Sequence, residues 1–542
     1  MRQVIDHYVA SLAERGELDA VVRNLLVARG DEVIKQAFRG EKELGVDIAS
    51  LRSEQDGKHL YLFQVKSGDL DRSQWDNGTP NSVRQSLNEA IDAEFTSYAK
   101  LRIPPVKTHL IIVFNGEIKG DVRAQFEGFV KAEQKRRPDL EITYWSQSAI
   151  VNLIEGHLVN EAVLPNIDPI TVKKALAFAD TPDYSFLEYG KILDSVLEGL
   201  ENKSKALSIR ALATYRIIAK MTGHYAQLGN NYKNAVLCQE IMLLKYANWR
   251  QVGGHSQKHF VEATSTFLED YLEALKAFCE RYKPAILKED GLFLGAPSES
   301  YEFPLRCFEI TGFLSLYYLT AVSLQRDDEA QEALYVLEAL IRLQTGSTRP
   351  VLDSHGVDIA LAGLSFIGSS SYNSLSNYLV MLLNKLSLRK RLYHPLPEYA
   401  NNMEAVISYH ATSQRPEWYD DSSSSLIWII LELSLFGNGK EDLVRATQEF
   451  LKQLKYTQWY PDNDYPSSIF SAELHEGLVE VDPKLPKDDE EMRHFMKARF
   501  KELEKSNLLS IRLQKGLEPV AFVAFRHFRT PVFPQCWRKS LL

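Results

Sequence analysis

Asp47 and the triplet Gln64-Val65-Lys66 are the residues of this chain whose types and spacing could do chemistry. A carboxylate and an amide oxygen on neighbouring strands can together hold a metal ion, with an ammonium beside them as a point charge. Those strands are readable locally. Val46-Asp47-Ile48-Ala49-Ser50-Leu51 and His59-Leu60-Tyr61-Leu62-Phe63-Gln64-Val65 are β-prone runs on either side of Ser53-Glu54-Gln55-Asp56-Gly57-Lys58, and Asp-Gly is a strong hairpin signal. A two-residue turn at Asp56-Gly57 pairs Gln55 with Lys58 and, counting back, sets Asp47 opposite Lys66. Opposed residues share a face with Cβ atoms about 5 Å apart, and Gln64 then lies diagonal to Asp47 at roughly 7–8 Å. Tyr61, Phe63 and Val65 point the other way, into a core. A slip by an odd number of residues separates Asp47 from Gln64 and Lys66. The plain alternative is a solvent-facing Asp47–Lys66 cross-strand ion pair worth about 0.2–1 kcal/mol.

Gly45-Val46-Asp47-Ile48 followed by Phe63-Gln64-Val65-Lys66 resembles the catalytic core of the PD-(D/E)xK nucleases, and within them the Mrr-type restriction endonucleases, where a Gly-x-Asp strand precedes a Gln-x-Lys strand. The flanks follow that family's order of helix, three strands, helix, strand. Leu18, Val21, Val22, Leu25 and Leu26 have the spacing of an amphipathic helix, which Gly30-Asp31 ends before a strand from Glu32 to Phe38. Ser82 to Phe95 reads as a helix, Lys107 to Phe114 as a buried strand, Asp121 to Arg137 as a second helix and Glu141 to Trp145 as a closing strand. The expected fold is a restriction-endonuclease-like α/β layer over about the first 155 residues, with a large all-α region behind it.

The resemblance implies Mg²⁺ (or Mn²⁺) held by the Asp47 carboxylate, the Gln64 amide oxygen and the Val65 backbone carbonyl, with Lys66 orienting the attacking water and DNA as the substrate. Hard oxygen ligands suit that cation, and phosphodiester cleavage needs the charge it brings. Gln64 replaces the commoner Asp or Glu, so a further acid is expected. Glu17, at the start of the first helix, is the first choice and Glu43 the second. Both have ordinary readings as well, Glu17 as a complement to a helix N-terminus and Glu43 as a solvated loop charge.

A net charge of −9 argues against coating nucleic acid non-specifically. Two local basic clusters remain: Lys131, Lys135, Arg136 and Arg137 at the end of the second core helix, and Arg389-Lys390-Arg391. Either could touch phosphate, and either could simply complement a helix C-terminus. Cys238, Cys279, Cys307 and Cys536 are far apart and include no CxxC, which fits reduced thiols in a cytoplasmic protein. The run from Thr311 to Gln325 is too short and too polar for a membrane span, and the N-terminus carries no apolar secretion signal.

Turn residues around Leu164-Pro165 and Thr181-Pro182 divide the chain, giving a nuclease-like domain over 1–160, a linker over 161–184, a helical sensor or interaction domain over 185–475 and an extension over 476–542. The helices, among them Lys233–Asn248, Ser265–Tyr282, Asp328–Leu343 and Asp442–Leu454, follow no fixed period, so an irregular array is expected. His255 and His259 lack the Glu of HExxH, and no GxSxG or P-loop is present. A charged stretch and an amphipathic helix, Met492–Leu503, precede Val520 to Phe528, which reads first as a packed strand. The leading expectation is an endodeoxyribonuclease of restriction or anti-phage defence, gated by a protein or small-molecule activator and open to homo-oligomerisation, with RNA as a further substrate. The alternative is a catalytically inactive nuclease fold whose helical array binds a protein partner.

Overall fold

Apolar residues at helical spacing, Val21, Val22, Leu25 and Leu26, are all buried on α2 (Asp19–Arg29), and Gly30 ends that helix at φ 87° with its N–H on the Leu26 and Val27 carbonyls. Such left-handed termination is the ordinary work of glycine. The computed structural model describes residues 2–35, 45–79, 82–97, 107–158, 169–198, 200, 204–436, 442–447 apart from 444, 455–461, 469–471, 477–481, 513–530 and the single positions 490, 491, 494 and 498. Glu43, Cys536, most of Met492–Leu503, much of Asp442–Leu454 and residues 161–168 lie outside them.

Before α2 come α1 (Arg2–Ser11) and a π-helical turn (Glu14–Leu18); after it come β1 (Glu32–Lys35), β2 (Ile48–Glu54), β3 (Gly57–Lys66), α3 (Arg72–Trp75), α4 (Val83–Ser97), β4 (Lys107–Phe114), α5 (Gly120–Arg136), β5 (Leu140–Trp145) and α6 (Gln147–His157). The five strands form one mixed sheet in the order β1-β2-β3-β4-β5. The first three run as an antiparallel meander, and β4 and β5 join parallel to β3. Parallel pairing needs a crossover, which α4 and α5 supply. One sheet face, bearing Ala49, Leu60, Leu62, Leu110, Ile112 and Phe114, packs against Leu87 and Ala90 of α4 and Val122 and Phe126 of α5.

The hairpin register differs from the sequence expectation by two residues. Glu54 pairs with Gly57 and Ile48 with Phe63, so Gln55 and Asp56 form the turn. Neither takes positive φ, whereas Gly57, one place later, sits at φ 142°. An Asp-Gly turn of the primed type needs positive φ at both positions. Here the glycine absorbs the unusual backbone at the first strand position instead. The shift is even, so every side chain keeps its face. Continued one step, the register sets Asp47 across from Gln64 rather than Lys66.

The chain divides into two compact units, Met1–Asn231 and Tyr232–Leu542. The division falls after the turn-rich 161–184 stretch, within which α7 (Pro169–Ala177) forms, and α8 (Leu187–Glu198) and α9 (Lys205–Leu228) belong to the first unit. The second unit is largely helical: α10 (Tyr232–Gly253), α11 (Lys258–Ile286), α12 (Glu299–Ser323), α13 (Asp327–Leu343), a 3-10 turn (Thr345–Thr348), α14 (His355–Gly368), α15 (Tyr372–Arg391), α16 (Met403–Thr412) and α17 (Leu426–Ser434). His255 precedes α11 while His259 lies on it, so the pair does not share a helix. A small sheet of β6 (Ser423–Ser424), β7 (Lys455–Pro461) and β8 (Gly477–Val481) was not legible in the sequence. Among the described residues no helix is long and apolar enough to cross a membrane.

The segment read as a C-terminal strand is instead helix α18 (Glu518–Phe528), opened by a proline in its first turn. Long-range charge pairs anchor it. Glu240 of α10, fully buried, accepts from Arg526 Nη1 at 3.3 Å and Tyr271 Oη at 2.8 Å and lies 3.0 Å from His527 Nδ1. Arg529 reaches the buried Asp358 of α14 at 2.5 Å, and Arg526 stacks 3.5 Å from the Phe313 ring centroid. Gly312 makes room, because a Cβ there would stand 2.3 Å from Asp358 Oδ1 and 2.6 Å from Arg526 Nε.

Candidate metal and nucleic-acid site

The carboxyl-terminal ends of β3 and β4 are where the sequence-predicted residues gather, the edge at which open parallel strands present ligands. Asp47 precedes β2 and is fixed by its own backbone: its N–H donates to the Phe63 carbonyl at 2.9 Å, and its Oδ2 accepts the Val65 N–H at 2.7 Å. Gly45 sets the approach. It has φ 74°, and a Cβ there would stand 2.0 Å from the Ser86 carbonyl oxygen of α4. The glycine of the Gly-x-Asp motif is therefore required by close packing against that helix.

Gln64 lies on the Leu60–Leu62 face of β3 and is 2% exposed. Its Oε1 is buried with no hydrogen-bond partner among the described residues. An orphaned buried acceptor is costly, and a hard cation is a ligand it suits. Val65, the other implied ligand through its carbonyl, follows in β3 and gives its N–H to Asp47. Lys66 is half-buried and its Nζ lies 3.0 Å from Glu14 Oε1. The other oxygen of Glu14 accepts the Ser67 N–H at 3.4 Å.

Glu14 is the acid that reaches this edge. Glu17 turns back on its own helix start, where Oε2 accepts the Ala13 N–H at 2.7 Å. Local geometry accounts for the difference. Leu18 N–H bonds to the Ala13 carbonyl five residues back, and this π-helical turn changes the phase between Glu14 and α2 relative to a regular 3.6-residue period. Asn115, 4% exposed at the end of β4, fastens the arrangement. Its Oδ1 accepts the Gly68 N–H at 2.6 Å, and its Nδ2 donates to the carbonyls of Val9 at 3.0 Å and Leu12 at 2.8 Å. Neither residue was named from the sequence. An Asn directly after the apolar β4 run was the only local signal.

Lys131, Lys135, Arg136 and Arg137 are not brought to this edge. They end α5, which leads into Leu140, the residue paired with Thr108 at the opposite end of β4 from Phe114. Six strand steps separate those ends by roughly 20 Å. Arg136 pairs with Glu133 at 2.8 Å and Arg137 with Asp139 at 3.2 Å. On the other sheet face a titratable chain crosses β3, β4 and β5. His59 lies 2.9 Å from both Asp56 and His109, and His109 lies 3.5 Å from Glu141, which also binds Lys107 at 2.5 Å. Burial lowers the His109 imidazole, with Glu141 opposing and His59 reinforcing. Tyr61 stacks on its ring at 4.3 Å.

Among the described residues no group of three or more His, Cys, Asp or Glu side chains is placed to hold a metal ion. A ligand set here would have to rest on Asp47 and Glu14 with the neutral oxygens of Gln64 and Val65. Compared with protein-family models, with curated proteins and with solved structures, the chain matches none.

Proposed function

We propose that this chain is a metal-dependent endonuclease that cleaves DNA phosphodiester bonds, a restriction or anti-phage defence effector whose helical unit senses an activator or selects the target. The observation that carries the reading is the juxtaposition of the Asp47 carboxylate, the orphaned Gln64 amide oxygen and the Glu14-anchored Lys66 at the end of β3. The helix, three-strand meander, helix and parallel strand around them support it. Asp47, Gln64 and the Val65 carbonyl would hold Mg²⁺ or Mn²⁺, with Glu14 as the supplementary acid. When bound, the cation supplies charge neutralisation at the scissile phosphate and a more acidic water. Lys66, a compact cation held in place by Glu14, would orient the attacking water.

Supercoiled plasmid, and in parallel a structured RNA, incubated with the protein and Mg²⁺ or Mn²⁺ tests the reading. Nicking or linearisation is expected from the wild type and is lost in Asp47→Ala and Lys66→Ala. Cleavage persisting in both variants refutes the assigned site. A second reading, a non-catalytic platform for a protein partner, draws on the bonds that Asp47 and Lys66 already make with Val65 and Glu14. Calorimetric titration with Mn²⁺ separates the two, since a platform has no reason to bind the ion through Asp47.

A further inference from the structure

His59 of β3 is 5% exposed, and both nitrogens of its ring are engaged. Nε2 lies 2.9 Å from Asp56 Oδ1 in the hairpin turn, and Nδ1 lies 2.9 Å from Nε2 of His109 on β4. The other nitrogen of His109, Nδ1, lies 3.5 Å from Glu141 Oε2 on β5. The two ring planes are within 22° of each other with centroids 5.1 Å apart, nearly the widest separation that a nitrogen contact of 2.9 Å permits. The rings therefore meet edge to edge along a hydrogen bond. Tyr61 covers the His109 ring face to face, with centroids 4.3 Å apart and planes within 6°.

Three nitrogen contacts in a row need three N–H protons. A neutral imidazole carries one and an ionised carboxylate none, so two neutral rings leave one contact bare whichever tautomers they adopt. A doubly protonated pair carries four and sets N–H against N–H between the rings. Only the singly protonated pair satisfies all three contacts. The surroundings ask for the same charge. Glu54 Oε1 lies 4.0 Å from His59 Nδ1, accepts the Tyr61 hydroxyl and lies 3.6 Å from Arg52 Nη1. Arg52 Nε binds Asp31 at 2.7 Å, Lys107 Nζ binds Glu141 at 2.5 Å, and the Arg29 guanidinium of α2 lies 5.9 Å from the Tyr61 ring centroid. Asp31, Glu54, Asp56 and Glu141 against Arg29, Arg52 and Lys107 leave one negative charge, which one extra proton on the pair offsets.

We propose that His59 and His109 share one extra proton as a single cation, a pH-operated latch that ties the tip of the β2–β3 hairpin to β4 and β5 and that a second proton opens. Groups this close exchange protons in two steps that belong to the pair. Removing the shared proton leaves one contact bare, and adding another drives the rings apart, so the latch is tightest between the two steps. Burial holds the His109 imidazole below its usual 6.5, opposed by Glu141 and Glu54 and reinforced by His59 and Lys107, so the second proton enters only in acid. The tip is the end that gives way. The Asp56 side chain is 63% exposed in a two-residue turn, whereas β4 is paired along both edges. The latch does not depend on the nuclease reading.

Nitrogen NMR of the intact chain, labelled at histidine and titrated from about pH 8 to about pH 4.5, tests it. At neutral pH three of the four ring nitrogens of His59 and His109 should be protonated, with the fourth taking up its proton only below 6.5. Amide exchange at Gln55, Asp56, Gly57 and Lys58, corrected for its intrinsic pH dependence, should rise about tenfold as that proton enters. Glu141→Gln keeps an oxygen acceptor beside His109 but cancels the unbalanced charge, so the shared proton should leave at a pH about one unit lower. His109→Gln should abolish the acid-induced rise in exchange and leave His59 with a single titration step. Two protonated nitrogens rather than three in the neutral wild type, a readout that needs no variant to fold, overturns the proposal. So does a His59 titration that is the same in His109→Gln as in the wild type, or turn exchange without an acid step.

Discussion

Glu240→Ala is the sharpest test of how the C-terminal helix is held. The carboxylate is fully buried and meets Arg526, whose side chain is 4% exposed, at 3.3 Å. It also accepts the Tyr271 hydroxyl at 2.8 Å. Removing it strands a buried guanidinium, a change that costs about 3–5 kcal/mol, and leaves Tyr271 without its acceptor. These losses share one site and do not add. In a unit of this size about 2 °C accompanies each kcal/mol, so its melting transition should fall by about 6–10 °C, read by calorimetry with urea unfolding as a check. Glu240→Leu combined with Arg526→Met removes both charges and should cost less than Glu240→Ala alone. Acid should mimic the single variant. Burial pushes the Glu240 carboxyl up, but Arg526 and the bonds with His527 and Tyr271 outweigh it and hold it below the usual 4.5. The folded state then keeps an anion where the unfolded chain takes up a proton, so the contribution is full above about pH 4.5 and lost as pH falls below it. A single variant within about 1 kcal/mol of wild type, or a double variant worse than the sum of its parts, refutes the reasoning.

Gly45→Ala forces a side chain into the Ser86 carbonyl at positive φ; about 2–4 kcal/mol of lost stability is expected on unfolding, and cleavage should fall about a hundredfold as Asp47 shifts. Glu14→Gln should lower plasmid cleavage by about tenfold or more by releasing Lys66, whereas Glu17→Gln should leave cleavage intact and cost only about 0.3–1 kcal/mol at the helix start. Gln64→Glu adds an anionic oxygen, so the Mg²⁺ concentration giving half-maximal cleavage should drop by about tenfold. His410, held to about 4 against its usual 6.5, stays neutral in the fold while the unfolded imidazole takes up a proton. Stability should therefore decline as pH falls from 6.5 towards 4. His410→Gln should flatten that slope in urea titrations.

How far the sequence reaches depends on the range of the forces involved. The buried run Lys107–Phe114 forms a strand with the bounds expected, and Asp328–Leu343 is a helix that begins one residue earlier, at Asp327, because both patterns are complete within a short window. The hairpin was placed two residues off because Asp-Gly signals a turn without saying which residue takes positive φ, yet the even shift kept Asp47 on the face it shares with Gln64 and Lys66. Glu14 was missed because Glu17 was chosen for its place at the expected start of the first helix, and the π-helical turn Glu14–Leu18 that precedes α2 has no local signal. Val520 to Phe525 alternates like a strand, and the groups that hold it as a helix, Glu240 and Asp358, lie far away in sequence.

Asn115 has a consequence for the order in which the site comes into being. Its amide joins the carbonyls of Val9 and Leu12, over a hundred positions earlier, to the Gly68 N–H that follows Lys66. During synthesis Glu14, Asp47, Gln64 and Lys66 all leave the ribosome before this clasp exists, and the end of α1 cannot be tied to the loop after β3 until β4 has been made and inserted. A nascent or prematurely terminated chain thus carries every residue of the motif while lacking the joint that aligns them. Completion of the fourth strand thus sets a delay between making these residues and aligning them.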